Sequence, residues 1–462
     1  MLQIYDTLTK SKRAFKSRDK NKINLFVCGP TVYDLSHIGH AKTYVAFDVI
    51  CKYLRKKGFD LTYLQNITDL DDKIIQRAKE RNTTPQKLAK EFEKYYLADM
   101  KALKVNSVSK YARATDYVKE IISQIERLSQ KDYAYLIEND GIYYDIKKFK
   151  DYGKLSKRTA SQAEDAVSRI DESKKKKNRG DFCLWKFSQP GEPEWESPWG
   201  KGRPGWHIED TAITEKHFGS QYDIHGGARD LIFPHHEAEI AQMEAISEKK
   251  PAVNYWMHTG FLTVNSQKMA KSLGNFITCR DFIKDHYPRL LRFIIAKNHY
   301  SAPIDYGQKI INQAEKELER IDEFTEKLPK IKVQSKSSSL VKKAEKELET
   351  AMEDDFNTPK AMAAIFNLIG KGNGLMAKNK LGKSEAKGIL DFLKDADKIF
   401  DFLFWSKKKE KIPNTVLTLA KKREKYRKNG HWKKSDDLRN EIKKLGYLVE
   451  DTKQGFKLKK IK

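Results

Sequence analysis

At 462 residues the chain is long enough for several domains and a substantial core, so it needs no staples to hold a minimal fold. Its 90 Lys and Arg against 64 Asp and Glu give a formal net charge of +26, which favours a polyanionic partner such as RNA. Four scattered cysteines without a paired spacing argue against a disulfide framework, and no signal-length or membrane-length apolar run is visible, so a soluble protein of the reducing cytoplasm is expected.

The first 21 residues read as a short lead-in hairpin. The stretch FVCGPTVYDLSHIGHAKTYVAFDVI follows. Residues 23–27 form a short segment, mostly β-branched or aromatic and closed by Gly29 and Pro30, as in a buried parallel strand. After Asp34 and Ser36, both suited to cap a helix, Ile38, Tyr44, Val45, Phe47, Val49 and Ile50 fall at helical spacing. His37 and His40 then share one face at the helix start, where backbone N–H groups and the helix dipole favour an anion such as triphosphate. Such a pair also fits two zinc ligands or two surface residues, so it needs a partner motif.

LTYLQNIT reads as the second strand, and Thr68 as a cap for the helix in DLDDKIIQRAKER. Residues 111–202 leave the sheet as an insertion, with an amphipathic helix at DYVKEIISQIERLSQ and a hairpin at GIYYDIKKF; the charge run DESKKKKNRGD reads as a solvated loop. From Gly205 the sheet resumes, with YDIHGG as a strand entering a glycine turn and PHHEAEIAQMEAI as a helix with Pro234 near its first turn. This order of elements predicts an α/β fold, a doubly wound parallel sheet split by an insertion, with its ligand at the carboxyl ends of the strands. GFLTVNSQKMAKSLGNF then sets Lys268 and Lys271 in a polar loop, suited to grip phosphates, although a KxxK pair in so lysine-rich a chain is more often a solvated loop.

Beyond Thr278 the periodicity is helical and predicts a bundle, with Thr358 capping a helix that begins at Pro359. Residues 406–462 hold 20 basic and 7 acidic side chains, half of the net charge in a short tail. The tail reads as two helices stopped by Asn429-Gly430 and Gly446, followed by a hairpin. Tyr426, His431 and Trp432 interleave with its charges as an RNA surface requires, and Trp432 reads equally well as the core of the small domain. The chain thus divides into residues 1–110, first half of the catalytic domain; 111–202, insertion; 203–278, second half with the lysine loop; 279–405, helical stem and bundle; and 406–462, basic tail. His235 and Glu239, four apart on one helix face, would join Cys28 at the end of the first strand and Asp210 after GWHIE in a four-ligand zinc site.

HIGH near the N-terminus with KMAKS in the second half resembles the class I aminoacyl-tRNA synthetases. CGPTVYDLSHIGHAKTYVAFDVI, with NITDLDDKII, GRPGWHIED, DIHGGARDLIFPHHEAEIAQ and DDFNTPKA, narrows the resemblance to the cysteinyl-tRNA synthetases over nearly the whole chain. The resemblance implies ATP-dependent activation of L-cysteine and its transfer to tRNA(Cys), with one zinc per chain, Mg-ATP as substrate and a monomer as the working form. It implies catalytic roles for His37, His40, Lys268 and Lys271, ATP contacts from these residues with Gly29 and Gly39, and substrate contacts from Thr31, Thr68, Trp206 and His225. It implies Cys28, Asp210, His235 and Glu239 as metal ligands. Two departures stand out: Ala270 replaces the family's usual serine, and Asp210 replaces a cysteine ligand. The insertion is too short for an editing domain. The alternatives are a ligase that passes cysteine to an amino sugar, which has no use for the tail, and a non-catalytic RNA-binding relative.

Overall fold

The computed structural model describes residues 1–158, 173–269, 273–334, 340–405, 413–452 and 455–460. Asp171 and Glu172 of the charge run, Ala270 and Lys271 lie outside the described residues, as do most of the Ser/Lys-rich stretch 333–339 and of SKKKEKIPN at 406–414 and the side chain of Lys268. The chain divides into two compact units, Met1–Phe404 and Trp405–Lys462.

An antiparallel hairpin, β1 (Gln3–Asp6) and β2 (Ser11–Ala14), leads into β3 (Lys22–Val27), α1 (Ile38–Lys56), β4 (Asp60–Ile67), α2 (Asp72–Glu80), α3 (Pro85–Ala102) and β5 (Lys110–Arg113). The insertion supplies α4 (Val118–Gln130) and a four-stranded antiparallel sheet, β6 (Ala134–Ile137), β7 (Gly141–Tyr144), β8 (Phe182–Phe187) and β9 (Gly202–Pro204). Then α5 (Ile208–Phe218), β10 (Tyr222–Ala228), α6 (His235–Ser247) and β11 (Val253–Thr259) complete a five-stranded sheet in the order β11-β10-β3-β4-β5, parallel throughout. Ile23, Leu25, Phe26 and Val27 of β3 are all buried, as in a strand covered on both faces. From β3 the chain proceeds outward through β4 and β5 on one side and through β10 and β11 on the other. The sheet order therefore reverses between β3 and β10, and a crevice forms at the carboxyl ends of those strands.

After β11 come β12 (Leu262–Val264), β13 (Gln267–Lys268), α7 (Cys279–Asp285), α8 (Pro288–Ala296), β14 (Ile304–Tyr306) and the helices α9 (Gln308–Lys327), α10 (Leu340–Glu353), α11 (Thr358–Ala377) and α12 (Lys383–Phe400). Two buried cations fasten α1 to this part. Lys42 donates to the carbonyls of Gly260, Phe261 and Ala302, at the root of β12. Arg292 of α8 pairs with Asp48 at 2.6 Å and donates to the carbonyls of Phe400, Leu103 and Lys104. The second unit is α13 (Asn414–Lys428), α14 (Trp432–Lys444) and the hairpin β15 (Tyr447–Thr452) and β16 (Gly455–Lys460), around a core of Val416, Ala420, Ile442, Tyr447 and Val449.

Five local expectations are corrected. Neither Asp34 nor Ser36 caps α1; His37 does, its Nδ1 accepting from Gly39 and His40 N–H. Asp71 rather than Thr68 caps α2, and Asn357 rather than Thr358 caps α11: each immediately precedes the first helical residue and accepts from a free N–H, while Thr68 lies three residues earlier, Thr358 is already helical, and both hydroxyls are spent on tertiary bonds. The glycines of YDIHGG lie within β10, where Gly226 makes room for Phe47: a Cβ there would sit 2.2 Å from the ring. Residues 173–181 of the charge run are not wholly solvated, since Asn178 and Asp181 are buried and bonded to each other and Lys177 lies 4.3 Å over the Tyr135 ring. Trp432 is 62% exposed, outside the small core, while Tyr426 and His431 stack at 6.0 Å.

Candidate active site and metal pocket

The histidine pair is built by its own sequence. Gly39 lets the His37 ring fold back over the start of α1, because a Cβ at that position would lie 2.8 Å from the ring. His37 and His40 stack with centroids 3.7 Å apart. The N–H groups of Gly39 and His40 are thus engaged by an imidazole, so an anion at this helix start meets the two rings rather than those bare amides. Desolvation and the adjacent His37 hold His40 well below the usual histidine range, so it acts as a neutral hydrogen-bonding ring.

A cavity of about 380 Å³ opens at the reversal of the sheet. It is lined by Cys28, Gly29 and Thr31 after β3, the two histidines, Thr68 after β4, Trp206, Asp210, His235 and, from the root of the lysine loop, Met269. Gly29 is forced by close approach: its N–H donates to Asn66 Oδ1, and a Cβ would overlap the Asn66 carbonyl. Thr31 and Thr68 form a backbone bridge, and the Thr68 hydroxyl donates to Glu209 at 3.0 Å. Trp206 stacks on His235 at 4.3 Å and forms a wall. Ten of the expected site residues line this cavity and four do not. Lys271 lies outside the described residues, Lys268 is described in backbone only, and His225 and Glu239 are buried behind the cavity wall rather than on it.

Cys28, Asp210 and His235 at the floor, with Glu239 behind it, are buried and present ligand atoms within 4.8 Å of one another. His235 Nε2 is 3.0 Å from Asp210 Oδ2 and 3.4 Å from Glu239 Oε1. With Nε2 as ligand atom, Nδ1–H of His235 donates to His207 Nδ1 at 2.8 Å, the outer bond that fixes a ligating imidazole. Two observations fit a divalent cation. Asp210 Oδ1 is buried without a hydrogen-bond partner, and three acidic groups converge with no lysine or arginine paired to them among the described residues. Burial, then the charges of Asp210 and Glu239, pushes the Cys28 thiol up, and burial with Asp210 does the same to Glu239. A cation that replaces those protons relieves the cost.

Sequence reasoning missed Glu209, His207, His236 and His258. The first three lie inside the quoted segments GRPGWHIED and PHHEAEIAQ, so their signal was adjacency to the named residues. His258, on β11, carried none, since it meets His236 only where α6 packs on the sheet.

Residues 14–316 match the family described as tRNA synthetases class I (C) catalytic domain, 347–404 the DALR domain, and 409–456 the cysteinyl-tRNA ligase anticodon binding domain. The chain is 43% identical to a cysteine–tRNA ligase of Thermococcus gammatolerans over 100% of this chain and 99% of the relative. It is 43% identical to that of Methanococcus maripaludis over 100% of both. Mycobacterium tuberculosis methionyl-tRNA synthetase, solved with methionyl-adenylate, shares the fold at a TM-score of 0.60 and 12% identity, covering 82% of this chain and 90% of that one. The reversed parallel sheet, the stacked histidines at its crevice and the three consecutive family matches lead to one assignment: the chain belongs to the cysteine–tRNA ligases, class I aminoacyl-tRNA synthetases.

Proposed function

We propose that the chain activates L-cysteine with Mg-ATP to cysteinyl-adenylate, releasing pyrophosphate, and transfers the cysteinyl group to the terminal adenosine of tRNA(Cys). The observation that carries this reading is the single cavity joining the stacked His37 and His40 to Cys28, Asp210 and His235. ATP lies against the histidines with its α-phosphate toward the cysteine carboxylate. Positioning and charge stabilisation then supply most of the catalysis. His37 and His40 bond the phosphate oxygens as rings held in register by their stack, and Lys268 and Lys271 close over the departing pyrophosphate. Thr31 and Thr68 orient the amino acid, with Glu209 holding the Thr68 hydroxyl, and Trp206 walls the side-chain pocket.

Cys28, Asp210, His235 and Glu239 would hold zinc, which when bound supplies a soft Lewis-acid position that favours a thiolate over the nearly isosteric serine hydroxyl. Asp210 keeps the formal charge of the thiolate it replaces, and zinc accepts carboxylate oxygen. In the second unit, Trp432 and the Tyr426–His431 stack offer flat rings to unpaired bases, amid lysines and arginines suited to phosphates. That surface, and the anticodon-binding family matched over 409–456, disfavour transfer to an amino sugar. Pyrophosphate exchange into ATP tests the reading: it should depend on cysteine, and Lys271→Ala should reduce it far more than cysteine binding. Normal exchange in that variant would return the loop to a solvated role.

A further inference from the structure

A second set of ligands lies directly behind the first. Cys28, His225, His236 and Glu239 are all buried and also present donor atoms within 4.8 Å of one another. Cys28 Sγ is 3.3 Å from His225 Nε2, 3.1 Å from His236 Nε2 and 4.0 Å from Glu239 Oε1. Each imidazole is held from its far side: His225 Nδ1 is 2.6 Å from the Tyr222 hydroxyl, and His236 Nδ1 is 2.8 Å from His258 Nε2, whose Nδ1 is 2.8 Å from Thr7 Oγ1. Such outer bonds fix the tautomer that turns Nε2 lone pairs toward a metal. None of His225, His236 or Glu239 reaches the substrate cavity, whereas Cys28, Asp210 and His235 line it.

We propose that Cys28, His225, His236 and Glu239 form a second, closed metal position, which shares Cys28 and Glu239 with the open one, so that a single zinc ion rests in the closed position until cysteine draws it outward. This deepens the metal reading given above and rests on it. The donor set favours the inner position at rest. Its donors are one sulfur, two imidazole nitrogens and one carboxylate, against one sulfur, one nitrogen and two carboxylates outside, and zinc takes nitrogen over oxygen in a mixed site. Asp210 creates this imbalance, because an aspartate donates less to the outer position than the cysteine it replaces.

X-ray absorption on the full chain carrying one equivalent of zinc reads the ligand set directly. Without cysteine, the closed position gives one sulfur and two imidazoles. Adding cysteine with a non-hydrolysable ATP analogue should give two sulfurs and one imidazole. Asp210→Cys should move the resting ion outward, to two sulfurs and one imidazole without substrate, and Asp210→Ala should keep one zinc per chain. One sulfur and one imidazole in the resting protein would overturn the closed position while leaving the open one standing, since His225 and His236 would then only donate N–H bonds to the Cys28 thiolate. Unchanged ligation on adding cysteine would overturn the outward shift, and a resting protein that binds no zinc at all would remove both positions.

Discussion

Asp210 is the residue on which the proposed selectivity turns. Asp210→Cys should retain cysteine-dependent pyrophosphate exchange within about tenfold, one 1.4 kcal/mol step, since the outer position gains a softer ligand of equal charge. Asp210→Ala should lose preference for cysteine over serine; equal discrimination in that variant, measured as the ratio of kcat/KM values, would exclude Asp210 from the site. At this scale the sequence was most legible where spacing or family pattern named a residue. Cys28, Asp210, His235 and Glu239 meet as expected because His235 and Glu239 are one helical turn apart and β3 ends beside α6. His225 lies outside the cavity lining: a strand residue faces one side or the other by alternation, and nothing in YDIHGG says which side holds the cavity. The caps were misjudged for a related reason, since His37 caps α1 only because Gly39 admits its ring.

Among the elements, α1 carries the histidine pair and is held in place by buried polar bonds as well as apolar packing. Burial works against ionisation of Asp48, but the charges of Arg292 and Lys52 outweigh it and hold the carboxyl below its ordinary value. A depressed carboxylate contributes stability above its unfolded value, about 3.9, and loses it as pH falls through the folded one. Arg292→Met leaves Asp48 buried with only Lys52 beside it, and should cost about 3–5 kcal/mol at pH 7. Chemical unfolding would show this as a lower midpoint, with the gap from the unsubstituted protein narrowing below about pH 4. A gap unchanged by acid would show that Arg292 acts through packing alone. None of this was visible in sequence, because an Asp in one helix and an Arg 244 positions later carry no local pattern. The elements themselves were: the apolar runs of β3 and β4 and the periodicity of α1 and α6 are local properties.

For the molecule as a whole, the order of elements predicted the reversed sheet and the place of its ligand, while the composition of the tail predicted a separate basic unit. Removing Trp405–Lys462 should leave cysteine activation largely intact and strongly weaken aminoacylation, because Met1–Phe404 is compact by itself. Equal loss of both half-reactions would show that the tail supports the catalytic fold. Affinity for tRNA should fall steeply between about 50 and 200 mM salt as phosphate contacts release counterions, and a flat response in a filter-binding titration would contradict the charged footprint. The account stands most directly on pyrophosphate exchange by the full chain with cysteine and with serine, before and after the metal is removed and zinc restored. It predicts exchange with cysteine on the order of ten-thousand-fold above serine, abolished by chelation and recovered with zinc. Full discrimination by metal-free protein would contradict it.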